Sequence, residues 1–374
     1  MTDYDFVVVG AGVVGLAVAA GLARRGRLLL VERHDGICRE TSSRSSEVVH
    51  AGIYYPPGSL KARTCVRGKE LLYRRCEERG IAAPTVGKLI VALEASELPR
   101  MQHLAERAAA NCVPVERLDA ADLRRRWPDV PGLAALWSPT TGVVDSHAYA
   151  ASFEAEARAR GADILFRSEV VGVDQGDGHR LTVRCGAEDA AVSARVVVNA
   201  AGLGQDRLSA MAGLDLDRLG IRQHPCRGSW FSISERHRGR IGTLLYPVGS
   251  ASGGGLGVHL CLDVGGGMRL GPDWEWVQGP PFDLEVTDQH RDAFWQAGRR
   301  LMPWLERDDL RPDQSGVRAK LVPAAGAFRD FVLREESAEG RPGWVTLAGI
   351  ESPGLTAAAA LAEEVDGLLR SRGF

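Results

Sequence analysis

The beginning of the chain alternates between apolar and glycine-rich segments in a pattern that predicts one supersecondary unit. Phe6 to Val9 is an apolar run without polar interruption, which is typical of a strand buried on both faces. The stretch from Leu16 to Arg25 has the composition of a helix, and a second apolar run, Leu28 to Val31, ends in Glu32. The pattern predicts a βαβ unit within about 30 residues.

Further along the chain, helical and strand-like patterns continue to alternate, with one long interruption of β type. The predicted helices are Ser59–Arg79, Glu97–Ala110, Ala148–Arg160 and Leu355–Arg370. The predicted strands are VGKLIVAL at 86–93, Asp163–Phe166, Arg195–Asn199 and Trp344–Ala348. From Ile221 to Leu321, many β-type runs are separated by glycine, which indicates an antiparallel sheet.

This order predicts an α/β fold in which a Rossmann-like GxGxxG domain is interleaved with an α+β domain built on an antiparallel sheet. We expect the first domain to comprise residues 1–80, 145–215 and 325–374. The second domain would then comprise residues 81–144 and 216–324, and the chain would cross between the two domains several times.

The glycine spacing Gly10-x-Gly12-x-x-Gly15 gives the first unit a candidate function. In dinucleotide-binding folds these positions provide a tight turn, close approach of the backbone to a pyrophosphate, and close packing of helix on strand. The first helix would present its N-terminal N–H groups to the phosphates, and Val13 and Val14, just before it, are predicted cofactor contacts. The alternative is a glycine-rich turn in an unrelated sheet.

Glu32 makes the dinucleotide interpretation more specific. It stands at the carboxyl end of the second predicted strand, where a carboxylate accepts hydrogen bonds from both ribose hydroxyls of an adenosine. An acidic group at that position repels a 2′-phosphate. The pattern therefore favours NAD or FAD over NADP.

Composition and charge exclude several other classes of protein. The chain has 46 Lys plus Arg and 48 Asp plus Glu, hence a formal net charge of −2, which does not indicate nucleic-acid binding. The 7 cysteines include no CxxC pair and are typical of reduced cytosolic thiols. The uncharged run Phe6 to Ala23 follows acidic residues and contains the spaced glycines, so we interpret it as neither a signal peptide nor a membrane span. We expect a cytoplasmic protein without a metal site.

Longer motifs show a family resemblance over every third of the chain. The most specific is SSRSSEVVHAGIYYPPGSLKARTCVRGKELL at 42–72, and further matches are GVVDSHAYA at 142–150, VVVNAAGLG at 196–204, LGVHL at 256–260, GVRAKL at 316–321 and AGIESPGLTAA at 348–358. With these motifs the chain resembles the FAD-dependent oxidoreductases of the D-amino-acid oxidase group, and within it the L-2-hydroxyglutarate dehydrogenase/oxidase family. The resemblance implies FAD rather than NAD as the cofactor.

A bound flavin would need a loop against its ring and a donor near the atoms that gain charge on reduction. The hydroxyl-rich turn at 41–46 offers the loop, and the turn at 349–355, which opens the last helix, offers backbone donors. An ordinary N-cap region and a plain capping turn are the alternatives. Beyond the glycines, Val13, Val14 and Glu32, the predicted cofactor residues are Arg33, Thr41, Ser42, Ser43, Ser45, His50, Val170, Ala201, Gly202, Gly349, Ile350, Glu351, Ser352, Pro353, Gly354 and Leu355.

Oxidation of an alcohol carbon beside a carboxylate also requires a carboxylate clamp. In the resembled group, an arginine in a G-x-R strand segment pairs with the substrate carboxylate, and Arg318 occupies that position here. A guanidinium can hold a carboxylate through two parallel hydrogen bonds. The alternative for Arg318 is a surface ion pair. Lys320, on the same predicted strand face, is a candidate for a second carboxylate.

The reaction further requires a base for the hydroxyl proton, and two histidines compete for this role. His259 lies in the strand-like LGVHL segment, and His50 lies in the flavin-facing segment, where it would instead cover the ring or orient the substrate. An unperturbed imidazole pKa near 6.5 suits proton removal at neutral pH. We favour His259, although a core histidine explains either. Substrate-lining candidates are Tyr54, Tyr55 and Tyr246, for which core packing is the alternative.

The substrate assignment is weakened by the segment PVGSASGGGL at 247–256 and by the following GGGMRLGPDWEW, both of which depart from the family pattern. A 2-hydroxy acid other than 2-hydroxyglutarate is therefore an alternative. An amino-acid oxidase of the same group and a flavin-binding module without turnover are further alternatives. The electron acceptor is left open between oxygen, a quinone and a protein, and use of a membrane quinone would be through surface contact at the inner face of a membrane.

Overall fold

The computed structural model describes residues 2–174, 178–249, 257–322 and 328–374. Its helices are α1 (Val13–Leu22), α2 (Leu60–Arg79), α3 (Leu98–Ala110), α4 (Ala120–Arg126), α5 (Ser146–Ala159), α6 (Gln205–Met211), α7 (Arg291–Leu301) and α8 (Gly354–Ser371). Its strands are β1 (Tyr4–Val9), β2 (Leu28–Val31), β3 (Val48–Val49), β4 (Lys88–Ala92), β5 (Glu116–Asp119), β6 (Ala134–Ser138), β7 (Gly142–Val143), β8 (Asp163–Leu165), β9 (Ser168–Val173), β10 (His179–Cys185), β11 (Glu188–Asn199), β12 (His224–Ile233), β13 (Leu244–Pro247), β14 (His259–Leu262), β15 (Met268–Gly271), β16 (Glu275–Trp276), β17 (Leu310–Lys320), β18 (Val332–Glu336) and β19 (Arg341–Ala348).

The first sheet is Rossmann-like, as predicted. Its order is β18-β19-β11-β1-β2-β8, and the strands from β19 to β8 run parallel. The apolar residues Phe6 to Val9 of β1 and the whole of β2 are buried because helices cover the sheet. Helix α1 begins three residues earlier than predicted, since Gly12 already forms its extended N-cap, and it packs against α5 and α8.

The second sheet is mixed rather than purely antiparallel. Its order is β16-β12-β15-β14-β13-β4-β6-β5, with β17 paired to β12, and β4 runs parallel to β13. Strands from the segment 81–144 and from the segment 216–324 therefore share one sheet and one apolar core. This arrangement supports the domain boundaries given above, which we keep as a proposal.

Candidate active site

The turn between β1 and α1 is built on glycines that leave no room for side chains. Gly10 has φ of +107°, and a Cβ there would lie 2.6 Å from the carbonyl oxygen of Ala200. A Cβ on Gly15 would lie 2.0 Å from the carbonyl oxygen of Gly10, far inside van der Waals contact. The start of α1 thus packs closely on the turn, as the glycine spacing predicts.

Glu32 is buried beside this turn, at the carboxyl end of β2. One carboxylate oxygen accepts a hydrogen bond from the backbone N–H of Ala11 at 2.7 Å, and the other accepts one from the backbone N–H of His34 at 2.8 Å. Each oxygen keeps a further lone pair for a ribose hydroxyl. The backbone therefore fixes the orientation of the carboxylate at the carboxyl end of β2.

A cavity of about 820 Å³, partly open to solvent, lies at the carboxyl ends of β1 and β2. Doubly wound folds bind nucleotides at this edge of the sheet. The predicted cofactor residues that line it are Gly10, Gly12, Glu32, Arg33, Thr41, Ser42, Val170, Ala201 and Gly202.

The hydroxyl-rich segment forms a short 3₁₀ helix, Thr41–Arg44, across the mouth of this cavity. The Ser42 hydroxyl oxygen accepts a hydrogen bond from the backbone N–H of Val13 at 3.1 Å, which ties the segment to the start of α1. The Thr41 hydroxyl donates to the carbonyl of Val317 at 3.0 Å, which ties it to β17. The segment therefore joins the glycine turn to the second sheet.

A second cavity, of about 1500 Å³ and also partly open, continues from the first. Gly12, Thr41, Ser42, Ala200 and Gly202 line both cavities, so the two form one groove. The predicted cofactor residues on its wall are Gly12, Val13, Val14, Gly15, Thr41, Ser42, Ser45, His50, Gly202, Ile350, Glu351, Ser352, Pro353, Gly354 and Leu355.

The turn before α8 carries a buried charge cluster. The Glu351 carboxylate lies 3.0 Å from the Lys61 ammonium and 3.1 Å from the Lys320 ammonium. Burial alone would raise the pKa of Glu351, but the two ammonium groups outweigh burial and lower it. The cluster therefore holds two positive charges and one negative charge beside the N-terminus of α8.

The groove fits the FAD that the resemblance implies. Its first part offers a buried carboxylate for the ribose and a side-chain-free turn for the pyrophosphate. Its second part is larger and mainly apolar, and the N-terminus of α8 with the adjacent Lys61 and Lys320 ammonium groups supplies positive potential there. When bound, FAD would supply a two-electron acceptor at this end of the groove.

Arg318 lies on the wall of the second cavity. Its Nη2 donates to the carbonyl of Asp273 at 2.7 Å and to that of Arg227 at 3.2 Å. The guanidinium reaches them by crossing Gly228, where a Cβ would lie 2.4 Å from Nη2. Its Nε is buried and, within the described ranges, has no hydrogen-bond partner. Because two carbonyls fix one end, the guanidinium presents its remaining donors to a ligand at no further ordering cost.

His259 lies on the same wall and is buried. Its Nδ1 lies 2.7 Å from the carbonyl oxygen of Gly257, which can only accept, so Nδ1 carries the proton and Nε2 has a free lone pair. Burial lowers the pKa of His259 to about 3; the Gly257 carbonyl opposes this, and the positive charges of Lys88 and Arg318 add to it. The pKa of His259 therefore lies well below that of an unperturbed imidazole, and the neutral ring has the Nε2 lone pair to accept a proton.

His50 lines the cavity near the turn before α8. Its Nε2 lies 3.2 Å from the Ser352 hydroxyl, and its buried Nδ1 has no partner within the described part of the chain. Burial, followed by the charges of Lys88 and His259, lowers its pKa to about 3. The Ser352 hydroxyl engages Nε2 and leaves Nδ1 without a described partner, so His50 stays the second candidate for the base.

Several predicted residues do not line either cavity. The Lys320 ammonium binds Glu351, so it is not free for a substrate carboxylate as predicted. Ser43 donates its hydroxyl to the carbonyl of Glu40, and Gly349 lies behind the wall against Leu321. The remaining two, Tyr54 and Tyr55, are outside the cavity lining as well, whereas Tyr246 is part of it.

Tyr54 and Tyr246 instead contact a buried lysine, which the sequence patterns did not predict as part of the site. The Lys88 ammonium lies 4.6 Å from the ring centroid of Tyr54 and 4.7 Å from that of Tyr246. Burial lowers the pKa of Lys88 to about 7. This cation lies close enough to His50 and His259 to lower the pKa of both imidazoles.

Other polar residues on the cavity wall were also missed. They are Arg44, Glu47, Gln223, Trp230 and Asp273. Arg44 and Glu47 stand inside the 42–72 motif, so the motif could have indicated them. Gln223, Trp230 and Asp273 are brought to the cavity by contacts between segments that are far apart in the sequence. Trp274, from the second segment that departs from the family pattern, lines the cavity too. Most of the other departing segment, residues 250–256, lies outside the described residues.

Comparison with known proteins identifies the family. The model of the family described as "DAO: FAD dependent oxidoreductase" matches residues 5–368, and the chain belongs to this family. A mitochondrial L-2-hydroxyglutarate dehydrogenase of Arabidopsis thaliana is 38% identical over 400 residues, which cover 96% of this chain and 82% of the relative.

Solved structures agree with this assignment. The dithionite-reduced L-alpha-glycerophosphate oxidase from Mycoplasma pneumoniae with FAD bound superimposes with a TM-score of 0.87 at 25% identity and covers 98% of this chain and 94% of its own. The glycine oxidase from Geobacillus kaustophilus has a TM-score of 0.81 at 20% identity over 99% of this chain and 95% of its own, a likeness of fold. The predictions of an enzyme and of FAD are thus confirmed: the protein is an FAD-dependent oxidoreductase. Within its described residues, no helix is long and apolar enough to cross a membrane.

Proposed function

We propose that the protein oxidises a 2-hydroxy acid to the 2-oxo acid, with L-2-hydroxyglutarate as the substrate. The observation that carries this proposal is that Arg318 and His259 line one cavity, which continues into the dinucleotide groove. A carboxylate clamp, a neutral base and a redox cofactor are what this reaction requires. The name of the Arabidopsis relative supports the choice of acid.

The roles of the side chains follow from their free atoms. The substrate carboxylate accepts hydrogen bonds from Arg318, including its unpartnered Nε. The 2-hydroxyl gives its proton to Nε2 of His259, and its O–H electron pair forms the new C=O bond. When bound, FAD would supply the acceptor for the hydride of C2. The 2-oxo acid that results has lost two electrons and two hydrogens in total.

Anaerobic mixing of the purified holoenzyme with a panel of acids tests the proposal. L-2-hydroxyglutarate is expected to bleach the oxidised flavin absorbance band faster than its D-enantiomer, and L-glutamate and glycine should leave it unchanged. Bleaching by amino acids alone would overturn the proposal in favour of amino-acid oxidation, and an unreacted spectrum across the panel would overturn both. Repeating the reaction with oxygen present reports whether oxygen reoxidises the flavin.

The compartment is also a proposal. The seven cysteines are free, which supports the predicted cytoplasmic location, although the Arabidopsis relative is named as mitochondrial. Contact with the inner face of a membrane would give access to a quinone acceptor. Fractionation of cells that express the tagged protein would decide between these locations.

A further inference from the structure

Trp230 is a buried side chain on the wall of the substrate cavity, with 5% of its surface exposed. Its indole Nε1 is buried and has no hydrogen-bond partner among the residues that the structure describes. A buried donor without an acceptor destabilises a protein because it has lost its hydrogen bond to water. A bound molecule that places an acceptor oxygen beside this N–H would therefore bind more tightly than one that does not.

Strand pairing places Trp230 between the clamp and the base. The Arg318 guanidinium crosses Gly228 on β12, and Trp230 follows two residues later on the same strand. On its other side, a Cβ on Gly271 would lie 2.7 Å from Cδ1 of Trp230. Gly271 pairs directly with His259 across β15 and β14. A substrate that spans Arg318 and His259 would therefore lie along the indole.

The chemistry of an indole N–H restricts what it can recognise. It is a donor only, so it pairs with an oxygen lone pair and not with an ammonium group. A 2-hydroxyl can accept from the indole while it donates to His259, because its oxygen has two lone pairs and one proton. A neutral amine has a single lone pair, which must form the new C=N bond as the hydride leaves, and a donor on that lone pair opposes the reaction.

We propose that Trp230 selects 2-hydroxy acids over 2-amino acids by donating its indole N–H to the oxygen on C2. This inference rests on the proposed function, since it assigns the C2 oxygen to the cavity between Arg318 and His259. Trp304 and Trp344 also have buried Nε1 atoms without a partner among the described residues, but neither residue lines the cavity. Trp230 is therefore distinguished by its position on the cavity wall.

Equilibrium binding to the oxidised holoenzyme tests the selection without turnover. The probes are 2-oxoglutarate, which has an oxygen on C2, and glutarate, which has none, and both are followed by calorimetry and by the change in flavin absorbance. Trp230→Phe is expected to weaken binding of 2-oxoglutarate by about 10-fold while binding of glutarate changes less than about 2-fold. Trp304→Phe, the matched control, should change neither affinity.

The inference would be overturned if Trp230→Phe weakened binding of both probes equally or of neither. It would also be overturned if Trp304→Phe weakened binding by the same factor. If Trp230→Phe does not retain FAD, replacement of Trp230 by 3-benzothienylalanine, which keeps the bicyclic shape and lacks the N–H, gives the same comparison. Bleaching of the parent flavin by L-2-hydroxyglutarate is measured alongside. Failure of the parent to bleach contradicts the proposed function, whereas failure of the probes to differ contradicts the role of Trp230 alone.

Discussion

The imidazole of His259 stacks on the phenol ring of Tyr246, with 3.7 Å between the ring centroids and 27° between their planes. The Lys88 ammonium lies 4.7 Å from the centroid of the same tyrosine ring. One aromatic ring therefore contacts both the candidate base and a buried cation. The positive charge of Lys88, after burial, is one of the causes that lower the pKa of His259.

We expect Lys88→Met to raise the pKa of His259, because it removes a positive charge that disfavours the imidazolium. The rate falls as pH decreases through the pKa of the base. The acidic limb of the kcat/KM profile for flavin reduction, which lies well below pH 6.5 in the parent, should therefore move to higher pH in the variant. Lys69→Met is the matched control, since Lys69 is buried outside the cavity and donates to Thr140. An acidic limb that does not move in Lys88→Met would contradict this effect of Lys88 on His259.

Arg318→Ala should reduce kcat/KM for the 2-hydroxy acid by about 30- to 1000-fold, which corresponds to about 2 to 4 kcal/mol of lost ionic contact. Much of the effect is expected in KM. Arg318→Lys should restore only part of the lost kcat/KM, because an ammonium cannot form the two parallel hydrogen bonds that a guanidinium forms with a carboxylate. Steady-state kinetics measure both parameters. Arg311→Ala is the control on the same strand, since Arg311 donates to backbone carbonyls outside the cavity. Unchanged kinetics in Arg318→Ala would place the substrate carboxylate elsewhere.

Glu32→Arg should weaken FAD binding, since it removes the two ribose contacts, each about 1.5 to 3 kcal/mol before solvent compensation. It also leaves the N–H groups of Ala11 and His34 without their acceptor. FAD content after dialysis and the dissociation constant of the apoprotein measure the loss. Glu40→Gln, at the rim of the same cavity, should have the smaller effect. Parental occupancy in Glu32→Arg would show that Glu32 is not at the ribose.

Gly15→Ala should prevent stable FAD retention and lower the Tm, because its Cβ would overlap the carbonyl oxygen of Gly10. Overpacking of this kind costs about 1 to 3 kcal/mol or more. Gly21→Ala, in the same helix, is the control: its Cβ would lie 4.0 Å from that of Ala362. It should stabilise the protein by about 0.5 to 1 kcal/mol, since alanine favours a helix interior. Equal behaviour of the two variants would show that the glycine turn tolerates a side chain.

The sequence predicted those parts of the site that local order along the chain determines. Gly10, Gly15 and Glu32 lie within one βαβ unit, so their spacing along the sequence is enough to predict where they lie relative to one another. The resemblance added Arg318 and His259, and the structure places both on one cavity wall.

Features that depend on contacts between distant segments could not be predicted. The position of Lys320 on the same strand face as Arg318 predicts a substrate contact. Its partner in the structure is Glu351, which stands in another segment of the chain. Lys88 and Trp230 acquire their positions from the pairing of β4 with β13 and of β12 with β17. The pKa of His259 depends on burial, which periodicity does not reveal.

We propose that His259 takes the hydroxyl proton of a substrate that Arg318 holds. The most direct measurement is the anaerobic rate of flavin reduction at saturating L-2-hydroxyglutarate in the parent, His259→Asn and His50→Asn. We predict that His259→Asn lowers this rate by about 100- to 10,000-fold with little change in substrate binding, and that His50→Asn has a smaller effect. A parental rate in His259→Asn together with a collapsed rate in His50→Asn would contradict the account and assign the base to His50.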